Sequence, residues 1–287
     1  MESKNYKRRS QWGEIWYRLR KNRVAMVSLA VVLLIILVSV FSEWIAPYDY
    51  AQQELGNAFQ LPNFDHWFGT DNLGRDIFSR VLVGGKISLL VAVLALAIAT
   101  IVGCFMGVVA GFFGGKADTI IMKINDILMS IPQFLLAVSI SAALGSGIFN
   151  TALAVSISSV PRFARLMRAE VLTTKSKEFV EASRAFGAGN RRIILKHIIP
   201  NSMASTIINI SMSIGSAILA ISSLSFIGLG VQPPTPEWGS ILANGRTYIR
   251  DFWPLATFPG IAIIITLIAF NLLGDGLRDA MDPKLKR

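Results

Sequence analysis

Charged residues are absent from five stretches of the chain, residues 24–42, 87–115, 127–161, 197–236 and 252–274. A helix rises 1.5 Å per residue and needs about 20 mostly apolar residues to cross the hydrocarbon core of a bilayer. Stretch 24–42 holds about a dozen Val, Leu, Ile and Phe, each favouring mid-membrane by roughly 0.3–0.6 kcal/mol, with no charge at about +3 kcal/mol opposing them. A cleaved signal peptide is the rival reading of this stretch. The run is long, however, and Ser42-Glu43-Trp44-Ile45-Ala46-Pro47 offers no small-x-small cleavage site, so it reads as a retained anchor. Stretch 127–161 would extend about 50 Å as one helix and must turn. Gly145-Ser146-Gly147 is the turn-forming cluster in its middle. The pattern predicts an all-α polytopic membrane protein with six transmembrane helices at about 24–44, 87–112, 119–144, 148–168, 203–229 and 256–274.

Composition agrees: 53% of the 287 residues are hydrophobic and only 16% charged. The net charge of +10 raises the question of nucleic-acid binding, and its distribution answers it. With both termini inside, the inner segments hold 23 Lys and Arg against five in the outer ones, while the acids divide ten to eight. That asymmetry follows the positive-inside rule, and no basic patch interleaved with aromatics sits on a soluble domain, so no nucleic-acid partner is expected. Residues 1–23 form a cytoplasmic N-terminal segment. Within it Trp12, Ile15, Trp16 and Leu19 recur at helical spacing among basic residues, which predicts a short helix lying on the lipid surface. The spans occupy 24–274, with outer loops at 45–85 and 230–255, a cytoplasmic loop at 169–200 and a cytoplasmic tail at 275–287. Cys104 is alone, which excludes an intramolecular disulfide and a thiolate metal cluster.

The inner loop 169–200 is soluble in character and reads as two short helices. The first, about 176–186, sets Phe179, Ala182, Ala185 and Phe186 on one side. Gly187-Ala188-Gly189-Asn190 breaks it, with a left-handed residue expected at Gly187, and a second helix over 191–199 runs until Pro200. Glu181 and Arg184 lie on adjoining turns, within reach of each other or of a partner. A helix–turn–helix hung beneath a membrane bundle is a docking element.

The candidate chemistry is sparse. A phosphate-binding loop of the Gly-x4-Gly-Lys-Ser/Thr type is missing, because Gly84-Gly85-Lys86 and Gly114-Gly115-Lys116 lack the earlier glycine and the following hydroxyl. No catalytic residue and no metal site are expected, since His66 and His197 stand apart from ligand spacings. Asp71, Arg75 and Asp76 read as struts of the outer loop. An ion-coupled secondary transporter would bury an acid or His near mid-membrane. The acids nearest to that position, Asp118 and Asp126, flank Lys123 at the inner end of the third span, where they are placed to pair with it on one helix face. A channel would need no such loop. Pro132 and Pro161, which interrupt backbone pairing in the third and fourth spans, join Ser211, Gly215 and Ser222 of the fifth as candidates for a translocation path.

Glu181-Ala182-Ser183, three residues, Gly187, then nine residues before His197-Ile198-Ile199-Pro200 resembles the Glu-Ala-Ala loop of bacterial ABC importer permeases. Ser183, His197 and Ile199 depart from that pattern. The run 68–76, the run 224–239 and the ending 270–279 resemble the C-type permease of dipeptide, oligopeptide, glutathione and nickel importers, so the likeness covers nearly the whole chain. The resemblance implies a type I ABC importer permease in a bacterial inner membrane. It also implies a B-type permease partner in a heterodimer, two ATPase subunits that bind the ATP and Mg this chain does not, and an extracytoplasmic solute-binding protein. The coupling residues would be Glu178, Glu181, Ala182, Ser183, Arg184, Ala185, Phe186 and Gly187. Peptides are the expected solute class, with a nickel or metal chelate as the alternative.

Overall fold

The computed structural model describes residues 11–281, and among them every regular element is helical. Helix α1 (Gln11–Lys21) leads into α2 (Arg23–Val40), whose N-cap Asn22 accepts the Ala25 amide at 3.1 Å. A short α3 (Ser42–Ile45) and a 3-10 turn at Leu55–Asn57 precede α4 (Ile77–Phe113), 37 residues long. Next come α5 (Gly115–Met129) and α6 (Gln133–Leu144), bent by 89° at the break between them, and α7 (Ile148–Lys175). Helix α8 (Glu178–Ala185) and the single-turn α9 (Asn190–Ile193) form the next connection. Helix α10 (Ile199–Phe226) follows, then α11 (Trp238–Arg246) and α12 (Pro254–Met281). Residues 1–10 and 282–287, the ends of the expected terminal segments, lie outside the described residues, as does the Trp12 side chain.

Among the described residues four helices are long and apolar enough to cross a membrane: Arg23–Val40, Ile77–Phe113, Asn190–Phe226 and Pro254–Met281; the bent pair α5–α6 adds a fifth crossing if it is one span. Helix α7 is long enough but too polar for the same test, and burial explains why. Its Thr151, Ser156, Ser158 and Ser159 are buried against neighbouring helices, and each hydroxyl bonds a carbonyl of its own helix, so lipid never meets them.

Helices α4 and α7 form the most extensive pair in the molecule. Gly103, Gly107 and Gly111, spaced four apart, lie on one face of α4 and let its backbone meet that of α7. A Cβ on Gly103 would lie 2.6 Å from the Phe163 Cβ, on Gly107 2.5 Å from the Ala164 carbonyl oxygen, and on Gly111 2.9 Å from Val171. Both series rise together, so the two helices run parallel, and the chain returns from one to the other through α5–α6, packed alongside them. Around this pair Val91, Ala95, Val155, Phe163, Ile218, Ile221, Leu224 and Trp238 close one continuous core.

Several expectations are corrected. The helix expected from 87 begins ten residues earlier, because Asp76 caps it by accepting the Ser79 amide and hydroxyl, both at 2.7 Å. Pro132 does mark the break before α6, but Pro161 sits inside an unbroken α7. Pro200 does not end the second loop helix. A π turn at Ile194–Ile198 carries α9 straight into α10, and such a turn accommodates the amide a proline lacks. Part of the expected loop 230–255 is the helix α11, which packs on α12 and α10. Asp71, Arg75 and Asp76 are struts: Asp71 accepts Arg75 Nε at 2.6 Å and its amide at 3.0 Å, Arg80 donates to the Tyr50 carbonyl at 2.9 Å, and Asp76 holds His66 at 2.9 Å.

Gly107→Val should lower the apparent melting temperature of the detergent-purified protein, because overpacking so close to backbone costs about 1–3 kcal/mol. Gly56→Ala, where a Cβ meets nothing within 4 Å, should leave it unchanged. Equal melting of the Gly107→Val and unmodified proteins would contradict the close-approach assignment.

Candidate functional site

Besides the Asp71–Arg75–Arg80 set at the start of α4, two further places bring chemistry-bearing side chains together. The first is the loop helix α8. It ends in a Schellman motif: the Ala188 amide donates to the Ser183 carbonyl at 3.1 Å and the Gly187 amide to the Arg184 carbonyl at 2.9 Å. Gly187 takes φ +79, the left-handed value expected for it, and open space surrounds its Cα. Val180 is the inward anchor of α8 at 1% exposure. It joins Ile193 and Ile198 against Val108, Phe112, Met167 and Val171 at the ends of α4 and α7. Lys175 adds a bond from its ammonium to the Phe112 carbonyl at 2.6 Å.

The remaining residues singled out in the loop, Ser183 apart, are turned to the outside. Glu178, Glu181, Ala182, Arg184, Ala185, Phe186 and Gly187 are exposed, Phe186 by 93%. Ser183 is half-buried with its hydroxyl 3.3 Å from His197 Nε2, so two of the three departures from the family pattern face each other. No ion pair joins Glu181 to Arg184 among the described residues. Phe179, expected beside Ala182, lies toward His197 with ring centres 6.0 Å apart.

The second place lies where α4, α6, α7 and α10 converge beside the α5–α6 break. Asp118 and Asp126 do not pair with Lys123 as expected. Asp118 takes Arg168 in a two-pronged bond at 2.5 and 2.6 Å, and Asp126 takes Arg165 at 2.7 Å, so both acids reach across to α7. Arg162, one turn further along, lines a small cavity of about 30 Å³ with Gln133, Ser159, Ser213 and Ser216.

The five expected path residues do not converge. Pro132 is exposed at the break, Pro161 is buried in α7, and Ser211 bonds the Ile207 carbonyl of its own helix at 3.1 Å. Gly215 abuts Leu267 of α12, and Ser222 donates to Glu237 at 3.1 Å. Glu237 was missed as anything but a loop residue. It is fully buried, caps α11 through the Ser240 amide at 3.0 Å, and also accepts the Ser88 hydroxyl of α4 at 3.0 Å. Glu237-x-x-Ser240 ahead of an apolar run is a capping signal that was present in the sequence.

Comparison with known proteins bears on this arrangement. Residues 99–287 match the model of the binding-protein-dependent transport system inner membrane component, and residues 10–62 match the N-terminal transmembrane domain of oligopeptide transport permease C. The chain belongs to the binding-protein-dependent transport permeases. The glutathione transport system permease proteins GsiD of Escherichia coli O6:K15:H31 (strain 536) and of Shigella boydii serotype 4 are each 47% identical to this permease over 97% of its chain and 92% of theirs. In fold it is similar to the inward-facing MetNI methionine ABC transporter, with a TM-score of 0.59 at 16% identity over 71% of this chain and 97% of the other. The all-α polytopic reading therefore holds, although the apolar helices number four, or five with the bent pair, where six were expected. This permease is a multi-pass inner-membrane component of an ABC importer, a class that works with ATPase subunits and a binding protein.

Gly187→Val should destabilise the end of α8, since a side chain in left-handed backbone costs roughly 1–2 kcal/mol and more when β-branched. Amide hydrogen exchange across 183–188 should quicken several-fold in the Val variant and stay near normal in Gly187→Asn, which tolerates that conformation. Equal exchange in the Val variant and the unmodified permease would contradict the capping assignment.

Proposed function

We propose that this permease forms half of the translocation pathway of an ATP-driven importer of peptides, with a glutathione-like peptide as its solute. The other half is a B-type permease in a heterodimer, and two ATPase subunits dock on the surface of α8. A solute-binding protein delivers solute at the opposite end, where residues 45–76 lie. Both termini are cytoplasmic, α7 is the fourth crossing along the chain and brings the number to six, and the loop 169–200 is the cytoplasmic coupling loop. No cofactor belongs to this chain. ATP and Mg bind the ATPase subunits, and this chain is not an enzyme.

The observation that carries the coupling role is the exposed, apolar-edged face of α8 on a helix anchored from behind by Val180. A short helix seated in a partner's groove transmits movement only if its own attachment is stiff. Here the attachment is double: the Val180 cluster on one side and the uninterrupted Asn190–Phe226 helix on the other. The solute class is supported by the 47% identity to glutathione transport permeases. The nickel or metal-chelate alternative is not favoured, because the 47% identity is to glutathione transport permeases. An ion-coupled carrier gains no support from Asp118 and Asp126, which reach across to Arg168 and Arg165 and are not buried at mid-membrane.

The test is reconstitution in proteoliposomes with candidate partner subunits. Import of labelled peptide should require ATP, the ATPase subunits and the binding protein together, and the purified chain alone should hydrolyse no ATP. Uptake driven by an ion gradient without ATP would overturn the reading.

A further inference from the structure

Three arginines stand three residues apart on α7, and their partners differ. Arg168 and Arg165 are neutralised from α5 by Asp118 and Asp126. Following α5 past its break, the residue facing the third rung is Gln133, an amide, and among the described residues no carboxylate pairs with Arg162. An uncompensated guanidinium within a spanning helix is costly unless it faces a water-filled cavity or a passing charged group. Arg162, exposed on α7, borders a small cavity together with Gln133, Ser159, Ser213 and Ser216.

A second observation points the same way. The Ser213 side chain is only 5% exposed, lines the cavity from α10, and its hydroxyl has no hydrogen-bond partner. Gln133 is partly committed, donating its amide to the Ser159 hydroxyl at 3.1 Å. A guanidinium fork and an unused hydroxyl donor meeting in one cleft are complementary to a planar anion with two acceptor oxygens. The cavity of about 30 Å³ holds one or two waters, which suits a carboxylate head and excludes a whole solute.

We propose that Arg162 and Ser213 form a transient binding point for a carboxylate of the solute on its way through the permease. The proposal rests on the importer reading above and adds to it a contact for the solute inside the membrane. Two of the arginines pair with acids of α5, while the third stays free for the solute. A site of this kind must bind briefly: one charge-assisted contact lowers the barrier to entering an apolar passage without trapping the solute.

The experiment is ATP-driven import in proteoliposomes holding the complete transporter, with saturating binding protein and a labelled peptide bearing a free carboxylate. Arg162→Gln should lower the maximal import rate about tenfold or more, and Arg162→Lys should recover a substantial part of it. Gln133→Glu supplies the missing carboxylate from within the chain and should also depress import, by occupying Arg162. Each variant is first required to copurify with the ATPase subunits as the unmodified permease does, which separates loss of assembly from loss of passage. Import by Arg162→Gln or by Gln133→Glu within about twofold of the unmodified rate would overturn the site. An unmodified transporter that shows no ATP-dependent import counts against the importer reading itself, whereas ATP-dependent import untouched by the variants counts against the site alone.

Discussion

The backbone-to-backbone approach of α4 and α7 is the constraint on which the other arrangements depend. Lipid tails are as apolar as leucine, so helices in a bilayer gain little from hiding apolar side chains from one another and associate through close packing. Three glycines four residues apart give α4 a smooth face, and α7 lies on it parallel and nearly in contact. Because α7 is buried there, its surface can carry Ser and Thr that a lipid-facing helix could not. On its less buried side Arg165 and Arg168 reach the acids of α5 and join the two helices. The ends of α4 and α7 together then supply the apolar seat for Val180, Ile193 and Ile198.

The consequence for function lies in stiffness. Helix α8 is only eight residues long and would not persist alone in water. It is held by the Val180 seat, by its Schellman ending at Gly187 and by the short turn 186–189 into α9, which the π turn makes continuous with α10. At the far end of the bundle a buried polar set plays the corresponding part. Asp71, Arg75, Arg80, Asp76 and His66 tie the 45–76 segment to the start of α4, and Glu237 ties α11 to α4 and α10. Each of these buried charges has partners, as a low-dielectric interior requires.

Much of this was legible in the sequence, for identifiable reasons. Charge-free runs located the apolar helices because a bilayer penalises charge strongly, and Gly145-Ser146-Gly147 marked a turn because glycines there adopt positive φ. Gly187 was readable as a helix stop for the same reason. Proline was the poorer guide, because its effect depends on what surrounds the lost amide: Pro132 ends a helix, Pro161 is absorbed by α7, and Pro200 follows a π turn. Partners across helices were not legible. Asp118 and Asp126 have Lys123 close in sequence, yet they bond Arg168 and Arg165, which only the path of α5 alongside α7 could bring near. Glu237 looked like an outer-loop acid because nothing local reveals that α11 folds back against α4. The Gly103, Gly107 and Gly111 stripe was present as a spacing and went unread within a uniformly apolar run.

The central claim is that α8 and α10 move as one body. It is tested most directly by the distance between spin labels at positions 184 and 219, both exposed, in the assembled transporter with Cys104 replaced. Measured by double electron–electron resonance, the distribution should be single and narrow, and it should stay unchanged when ATP closes the partner subunits. A distance that shifts or broadens with nucleotide would mean that the loop swings independently of the span, and would contradict the account.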